Sequence, residues 1–279
     1  MDKKIGIAIG GAVLLAAVAF GIWQYQSTHT ALPVSLAAIG MHQRVPFQIE
    51  VSTDRTTASS GVARYRIVVR QDGKLQDLLA AKKYPHAAIV SADLSDIAFY
   101  HADRLDNPSQ GVFEFTHNFT ADTAYTLWVE VNDNNLSDYD HHGENSDVVV
   151  RVDLSGPKAE TLTTQRLTGT DRDYILTLVP DTLKIGAPSQ FRILTTTTDG
   201  ATVPLVTDID HFYFAASPDG QFYTLDHPDL AVTKDNSITV KNLTFPKAGQ
   251  YAVWVRVFAA DAENTPIDLI EGSFVVSVP

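Results

Sequence analysis

The sequence predicts an all-β chain: two tandem immunoglobulin-like β-sandwich domains after an N-terminal transmembrane helix. Three observations carry this. One uncharged apolar run sits at the start, most of the remainder alternates with a period of two, and a block of that remainder recurs about 126 residues later. The chain has 279 residues, a formal net charge of −12 and no cysteine. Without thiols there are no disulfides, no thiolate zinc or iron–sulfur sites and no cysteine nucleophile. The acidity, with no Lys/Arg cluster beyond the N-terminus, excludes nucleic acid as a partner.

Residues 1–25 form the anchor. Asp2-Lys3-Lys4 precedes the apolar run Ile5–Ile22, followed by Trp23 and Tyr25. Such a run, rising about 1.5 Å per residue, spans a bilayer's hydrocarbon core at about 27 Å. The lysines place the N-terminus in the cytoplasm, and the two aromatic residues fit the far interface. The bulk of the chain is therefore expected outside the cytoplasm, on a single-pass membrane protein. The alternative is secretion after cleavage near Ala19, because Ala17-Val18-Ala19 has the small-x-small form of a signal-peptide site. Residues 26–40 read as a linker.

The repeat sets the domain boundaries. Tyr125-Thr-Leu-Trp128-Val-Glu130 recurs as Tyr251-Ala-Val-Trp254-Val-Arg256, Phe119 as Phe245, and Val148-Val-Val150 as Phe274-Val-Val276. Domain 1 is thus placed at 41–154 and domain 2 at 172–279, with Ser155-Gly156-Pro157 and a Thr-rich stretch to 171 as the linker. Each copy is long enough to bury a core and to fold alone. Within the first copy, Arg64–Arg70, His86–Val90, Val112–Phe119, Tyr125–Val131 and Val148–Val152 read as strands. Asp72-Gly73, Asn107-Pro108, Asp219-Gly220 and Pro246-Lys-Ala-Gly249 read as turns. Leu75–Lys83 holds a short helical turn at most. About seven strands per copy is the size of an immunoglobulin-like sandwich. Trp128 and Trp254 are assigned to equivalent core positions, the alternative being ligand stacking.

The centre of each copy has a recurring shape. The first runs from His86 through Asp93-Leu94 and Ile97 to His101-Ala-Asp103. The second runs from His211 through Asp219-Gly220 and Phe222 to His227-Pro228-Asp229. An aromatic strand and then the Tyr-x-x-Trp strand follow in both. This pattern resembles the bacterial extracytoplasmic YtkA-like and FixH-like β-sandwich modules, with their H-x5–7-D-L-x-x-F-x-H-x-H-P signature. Phe99 and Ala102 stand where that signature has His and Pro, and the second copy keeps only His227-Pro228. The resemblance implies an anchored sandwich module with a role in metal handling, copper in particular.

The histidines are the candidate metal ligands. His86 with His101, and His211 with His227, could meet across neighbouring strands, with Asp103 and Asp229 as oxygen donors. The alternative is that they close loops by bonding backbone at strand ends. A second candidate is the loop bearing Asp138, Asp140, His141 and His142. Its Asp138-x-Asp140-x-x-Gly143 core approaches a calcium loop, but position twelve is Val149 and the flanks are strands, so an EF-hand is rejected. That loop is either a divalent-metal site or a solvated hairpin tip. Asn118-Phe-Thr, Asn135-Leu-Ser and Asn242-Leu-Thr are glycosylation sequons.

No nucleophile elbow, P-loop, dinucleotide fingerprint or zinc-protease motif occurs, so an enzyme is not expected. The expectation is a membrane-anchored extracytoplasmic binding or assembly protein with a protein partner, handling copper through the repeated histidines. The alternative is a structural or adhesive cell-surface subunit that contacts partners through its sandwich surfaces and edge strands.

Overall fold

The computed structural model describes Val34–Pro279, apart from residues 37–38, 44–46, 55–60, 79–82, 102–103, 120–122, 134–145, 155, 157–164, 208–210 and 227–235. The apolar run Ile5–Ile22 lies outside the described residues. Among those described, no helix is long and apolar enough to cross a membrane.

The described chain is all-β, in four antiparallel sheets. Sheet I is ordered β1 (Val34–Leu36), β3 (Phe47–Thr53), β4 (Gly61–Gln71), β9 (Val112–Phe119), β8 (Asp106–Ser109), with β5 (Lys74–Leu75) paired to β4. Sheet II is ordered β2 (Ile39–Gln43), β11 (Ser146–Leu154), β10 (Tyr125–Asp133), β6 (Lys83–Ser91), β7 (Ile97–Tyr100). Sheet III is ordered β16 (Tyr223–Asp226), β15 (Phe212–Ala216), β18 (Gly249–Ala260), β19 (Pro266–Val278). Sheet IV is ordered β12 (Thr168–Asp171), β13 (Tyr174–Thr182), β14 (Ser189–Thr197), β17 (Ser237–Leu243). Sheets I and II enclose one apolar core, built on Tyr65, Ile67, Phe113 and Leu127. Sheets III and IV enclose another, built on Phe191, Ile193, Val253 and Phe274.

Local chemistry explains the boundaries. Asp72 and Gly73 both have positive φ, 52° and 74°, and close β4 onto β5 as a two-residue hairpin. Asn107-Pro108 is not a turn; it lies in β8, exposed at a sheet edge where proline's missing donor costs no ladder bond. The stretch read as a linker to 171 ends in a strand, β12, and Arg166 before it exchanges both backbone hydrogen bonds with Val275.

The Asp-Leu and Asp-Gly pairs build one turn twice. Ser91 Oγ donates to Asp93 Oδ1 at 2.7 Å and accepts from Asp96 N at 2.9 Å. Ser217 Oγ does the same with Asp219 Oδ1 at 2.6 Å and Phe222 N at 2.9 Å. Both turns put their fourth residue in the left-handed region, Leu94 at φ 60° and Gly220 at φ 71°. That conformation costs a leucine about 1–2 kcal/mol, whereas full burial of its side chain contributes about 1.5–3 kcal/mol, and Leu94 is wholly buried. At Gly220 a β-carbon would meet Arg151 Cδ at 2.9 Å, so a larger residue there would have to displace the arginine side chain.

A third apolar cluster lies between sheets II and III. It joins Val90, Phe99 and Trp128 from the first half to Phe214, Trp254 and Val275 from the second. Trp128 stacks on Tyr223 at 5.4 Å between ring centroids, and Phe99 lies 4.8 Å from Trp254. The two tryptophans are buried, but not in the cores of their own sheet pairs: they face out of those pairs and meet in the seam. The reason is parity. Tyr125, Leu127 and Val129 face the core between sheets I and II, so Trp128 must face the other way. Isolated halves would therefore expose this seam to water, even though each keeps its own core.

Trp128→Ala and Trp254→Ala are each expected to cost about 3–5 kcal/mol. Because both rings belong to one cluster, the double variant should lose less than the sum. Urea denaturation of the full chain measures this; strict additivity would place the rings in independent environments.

Candidate functional site

Residues of the first half's predicted metal set meet at one end of the seam. In the β6–β10 ladder His86 stands opposite Glu130. Both side chains face the seam and are buried, with His86 Nδ1 3.2 Å from Glu130 Oε1. His101 follows directly on β7 and brings its half-buried ring to 4.8 Å from that of His86. Phe99 stacks on His86 at 5.5 Å, and Phe212 of the second half lies 5.5 Å from His101. The buried Tyr223 hydroxyl lies beside Glu130; burial first, and then the Glu130 charge, pushes its pKa well above the usual phenol range.

The second half places other chemistry at the matching positions. Phe212 stands opposite Arg256 in the β15–β18 ladder, where the first half has His86 opposite Glu130. His86 therefore corresponds to Phe212, not to His211. The single-residue difference turns His211 to the other face of its sheet. There it is buried, with Nε2 donating to Val206 O at 2.7 Å and Nδ1 accepting from Phe258 N at 3.3 Å. Both ring nitrogens serve backbone groups, so a ligand role for His211 would first have to break these bonds.

Asp103, His227 and Asp229 lie outside the described residues, as do Asp138, Asp140, His141 and His142 of the second candidate loop. Among the described residues no group of three or more His, Asp or Glu side chains is arranged to hold a metal ion. His86 and His101 thus supply a converging pair rather than a full donor set.

Sequence reasoning passed over Arg256, Glu271 and Arg104, which form an ion bridge across the same seam. Arg256 is buried and donates from Nε to Glu271 Oε1 at 3.0 Å, while Arg104 Nη1 donates to Glu271 Oε2 at 2.7 Å. The Arg256 guanidinium also lies 4.9 Å from the Phe212 ring centroid. The available signal was a charged residue two places after each tryptophan of the repeated strand: Glu130 in one copy and Arg256 in the other.

A separate polar cluster sits inside the first sheet pair. His117 bonds Tyr100 OH through Nδ1 at 2.9 Å and Asp96 Oδ2 through Nε2 at 3.2 Å, and Tyr125 OH donates to the same oxygen at 3.0 Å. Burial, followed by the Asp96 charge, raises the Tyr100 pKa far above the usual phenol value. In the second half Phe222 replaces Asp96 and packs edge-on against Tyr251 at 5.5 Å. The position is polar in one copy and apolar in the other, each satisfied within its own core.

The repeated turn aspartates set an acid limit on stability. Partial burial pulls the Asp93 carboxyl upward, but hydrogen bonds from Ser91 and Ser95 outweigh it and hold the pKa below the usual range. Asp219 is lowered likewise, with Lys247 and Ser217 outweighing burial. Depressed folded values contribute stability above the unfolded pKa of about 3.9, and that stability is lost as pH falls through the folded values. Between about pH 5 and 3 the urea midpoint should therefore drop, and drop less in an Asp93→Asn, Asp219→Asn double variant. An identical fall in both proteins would remove these carboxylates from the acid response.

No family model matches this chain, and no curated protein is significantly similar to it. Among solved structures it is similar to MtrC from Shewanella baltica OS185, at 8% identity over 81% of this chain and 68% of that one, with a TM-score of 0.25. The adhesin InvE of Yersinia pseudotuberculosis is similar at 10% identity over 84% of this chain and 58% of that one, with a TM-score of 0.26. A putative membrane anchored protein from Corynebacterium diphtheriae is similar at 12% identity over 82% and 53%, with a TM-score of 0.23. The chain thus spans little more than half the length of the last two. None of these likenesses bears on what the chain does.

Proposed function

We propose that this chain is a membrane-anchored extracytoplasmic binding or assembly protein, built as two immunoglobulin-like sandwiches in the manner of the YtkA-like and FixH-like modules. The observation that carries the reading is the seam between sheets II and III. Its aromatic cluster and the Arg104–Glu271 ion pair tie the two halves together. A tied pair of sandwiches presents its outer sheets, I and IV, in a fixed relation. Fixed surfaces bind with a smaller ordering cost than two modules on a free hinge. A protein partner is the occupant this design suits.

Cell fractionation with external protease tests the placement. The full chain should remain in the membrane fraction and be cut only from outside the cytoplasmic membrane. A soluble mature chain beginning at Phe20 would replace the anchored reading with secretion.

A second reading, copper handling, is favoured by the approach of His86 to His101 at 4.8 Å. If it holds, equilibrium dialysis of the full chain against Cu(II) gives saturable binding at pH 7. That binding disappears below about pH 5–6 as imidazole protonates, and it disappears in His101→Ala. Binding that survives this variant would put the metal elsewhere, with His141-His142 next to be tested. Absence of binding would leave the structural or adhesive role.

A further inference from the structure

A cleft of about 290 Å³ opens where β12 crosses β19, bordered by Ile97 of the first half. Backbone geometry shapes it. Arg166 N donates to Val275 O at 2.9 Å and Val275 N returns the bond at 2.8 Å, which lays the start of β12 along β19. At Gly169 a β-carbon would lie 3.2 Å from Ser273 N, so a side chain there would push the two strands apart by a few tenths of an ångström.

The lining is polar, unlike the seam beside it. Thr168, Thr170 and Ser273 offer hydroxyls, and Trp254 contributes its indole. Arg166 lies half-buried in the same wall, and its Nη2 donates to Ser273 Oγ at 3.2 Å. Among the described residues no carboxylate is paired with it, and burial alone lowers its pKa from the usual guanidinium value. Glu271 also borders the cleft, but its Oε1 is held by Arg256 and its Oε2 by Arg104. Two guanidiniums therefore already answer that carboxylate, and Arg166 is not one of them. A half-buried cation beside hydroxyls, with no carboxylate partner among the described residues, is set up for an anion.

Going beyond the binding-module reading, we propose that this cleft binds a small hydroxylated carboxylate of the sugar-acid class. The planar guanidinium fork of Arg166 matches a carboxylate in two parallel hydrogen bonds. The hydroxyls of Thr168, Thr170 and Ser273 match those of a sugar. The volume is at the small end for ligand pockets, about 300–1,000 Å³, so it holds one ring rather than a chain of them.

Calorimetric titration of the purified full-length chain tests this with sodium D-glucuronate, D-glucose, sodium acetate and inorganic phosphate as probes. Glucuronate should bind saturably at one site. Glucose lacks the carboxylate and acetate lacks the ring, so each should bind at least tenfold more weakly. Arg166→Gln should weaken glucuronate at least tenfold. Arg166→Lys, which keeps the charge without the fork, should weaken it less, and Thr168→Val should weaken it severalfold. Unchanged urea midpoints in these variants separate lost binding from lost fold. The proposal is overturned if glucuronate does not bind, if acetate or phosphate binds as tightly, or if Arg166→Gln and Thr168→Val both bind it unchanged. The probes carry no metal and the assay needs no membrane, so this failure is distinct from failure of the anchored or copper-handling readings.

Discussion

Burial of sheets II and III on both faces is the constraint that shapes the remainder of this structure. A strand exposed on one side can alternate apolar and polar residues, as β4 and β14 do. A strand covered on both sides cannot, and β15 and β18 are buried almost without interruption. Every outward residue of these strands must then be apolar or be answered by a polar partner, which for Glu130 and Arg256 stands on a neighbouring strand of the same sheet. Trp128, Phe99, Phe214 and Trp254 meet the first requirement, and Glu130 and Arg256 meet the second.

The charged residues in the seam are costly components. Breaking a buried ion pair by removing one member costs about 3–5 kcal/mol, since it leaves a charge without an answer. An apolar pair of similar size would often be as stable. What Glu271 adds is direction: Arg256 beside it fixes its carboxylate, and that carboxylate accepts from Arg104 across the seam. His86, His101 and Tyr223 crowd around Glu130 at the other polar point. Arg104 with Glu271, and Tyr223 beside Glu130, are the polar contacts that cross the seam, while the rings supply most of the attraction.

The two halves use matching positions for this contact and fill them with different chemistry. Val149 and Val275, Trp128 and Trp254, and Ala88 and Phe214 occupy corresponding places in the cluster. Such self-matching surfaces are the mark of a twofold-like association. Joining two copies in one chain frees each side to specialise. Leu94 fills its turn's apolar contact, whereas Gly220 makes way for Arg151, whose Nη1 donates to the Gly220 carbonyl at 2.9 Å.

The all-β class, most strand cores and the Asp-Gly turns were legible in the residues, because each depends on local chemistry. Period-two alternation marks Val112–Phe119, and Asp72-Gly73 and Asp219-Gly220 close turns as their residue types lead one to expect. The seam was not legible, because a residue facing away from its own core looks the same whether water or another sheet covers it. Trp128 accordingly read as a core residue of its own domain. His211 read as the twin of His86 because residue type and approximate spacing matched, but strand pairing is decided by register. One residue of offset sends a side chain to the opposite face, where His211 bonds backbone and Phe212 takes the place facing the seam. Sequence by itself determined the main strand cores and the Asp-Gly turns, though not β8 or β12. Tertiary structure decided which face each strand shows to which neighbour, because that choice rests on contacts between segments far apart in the chain.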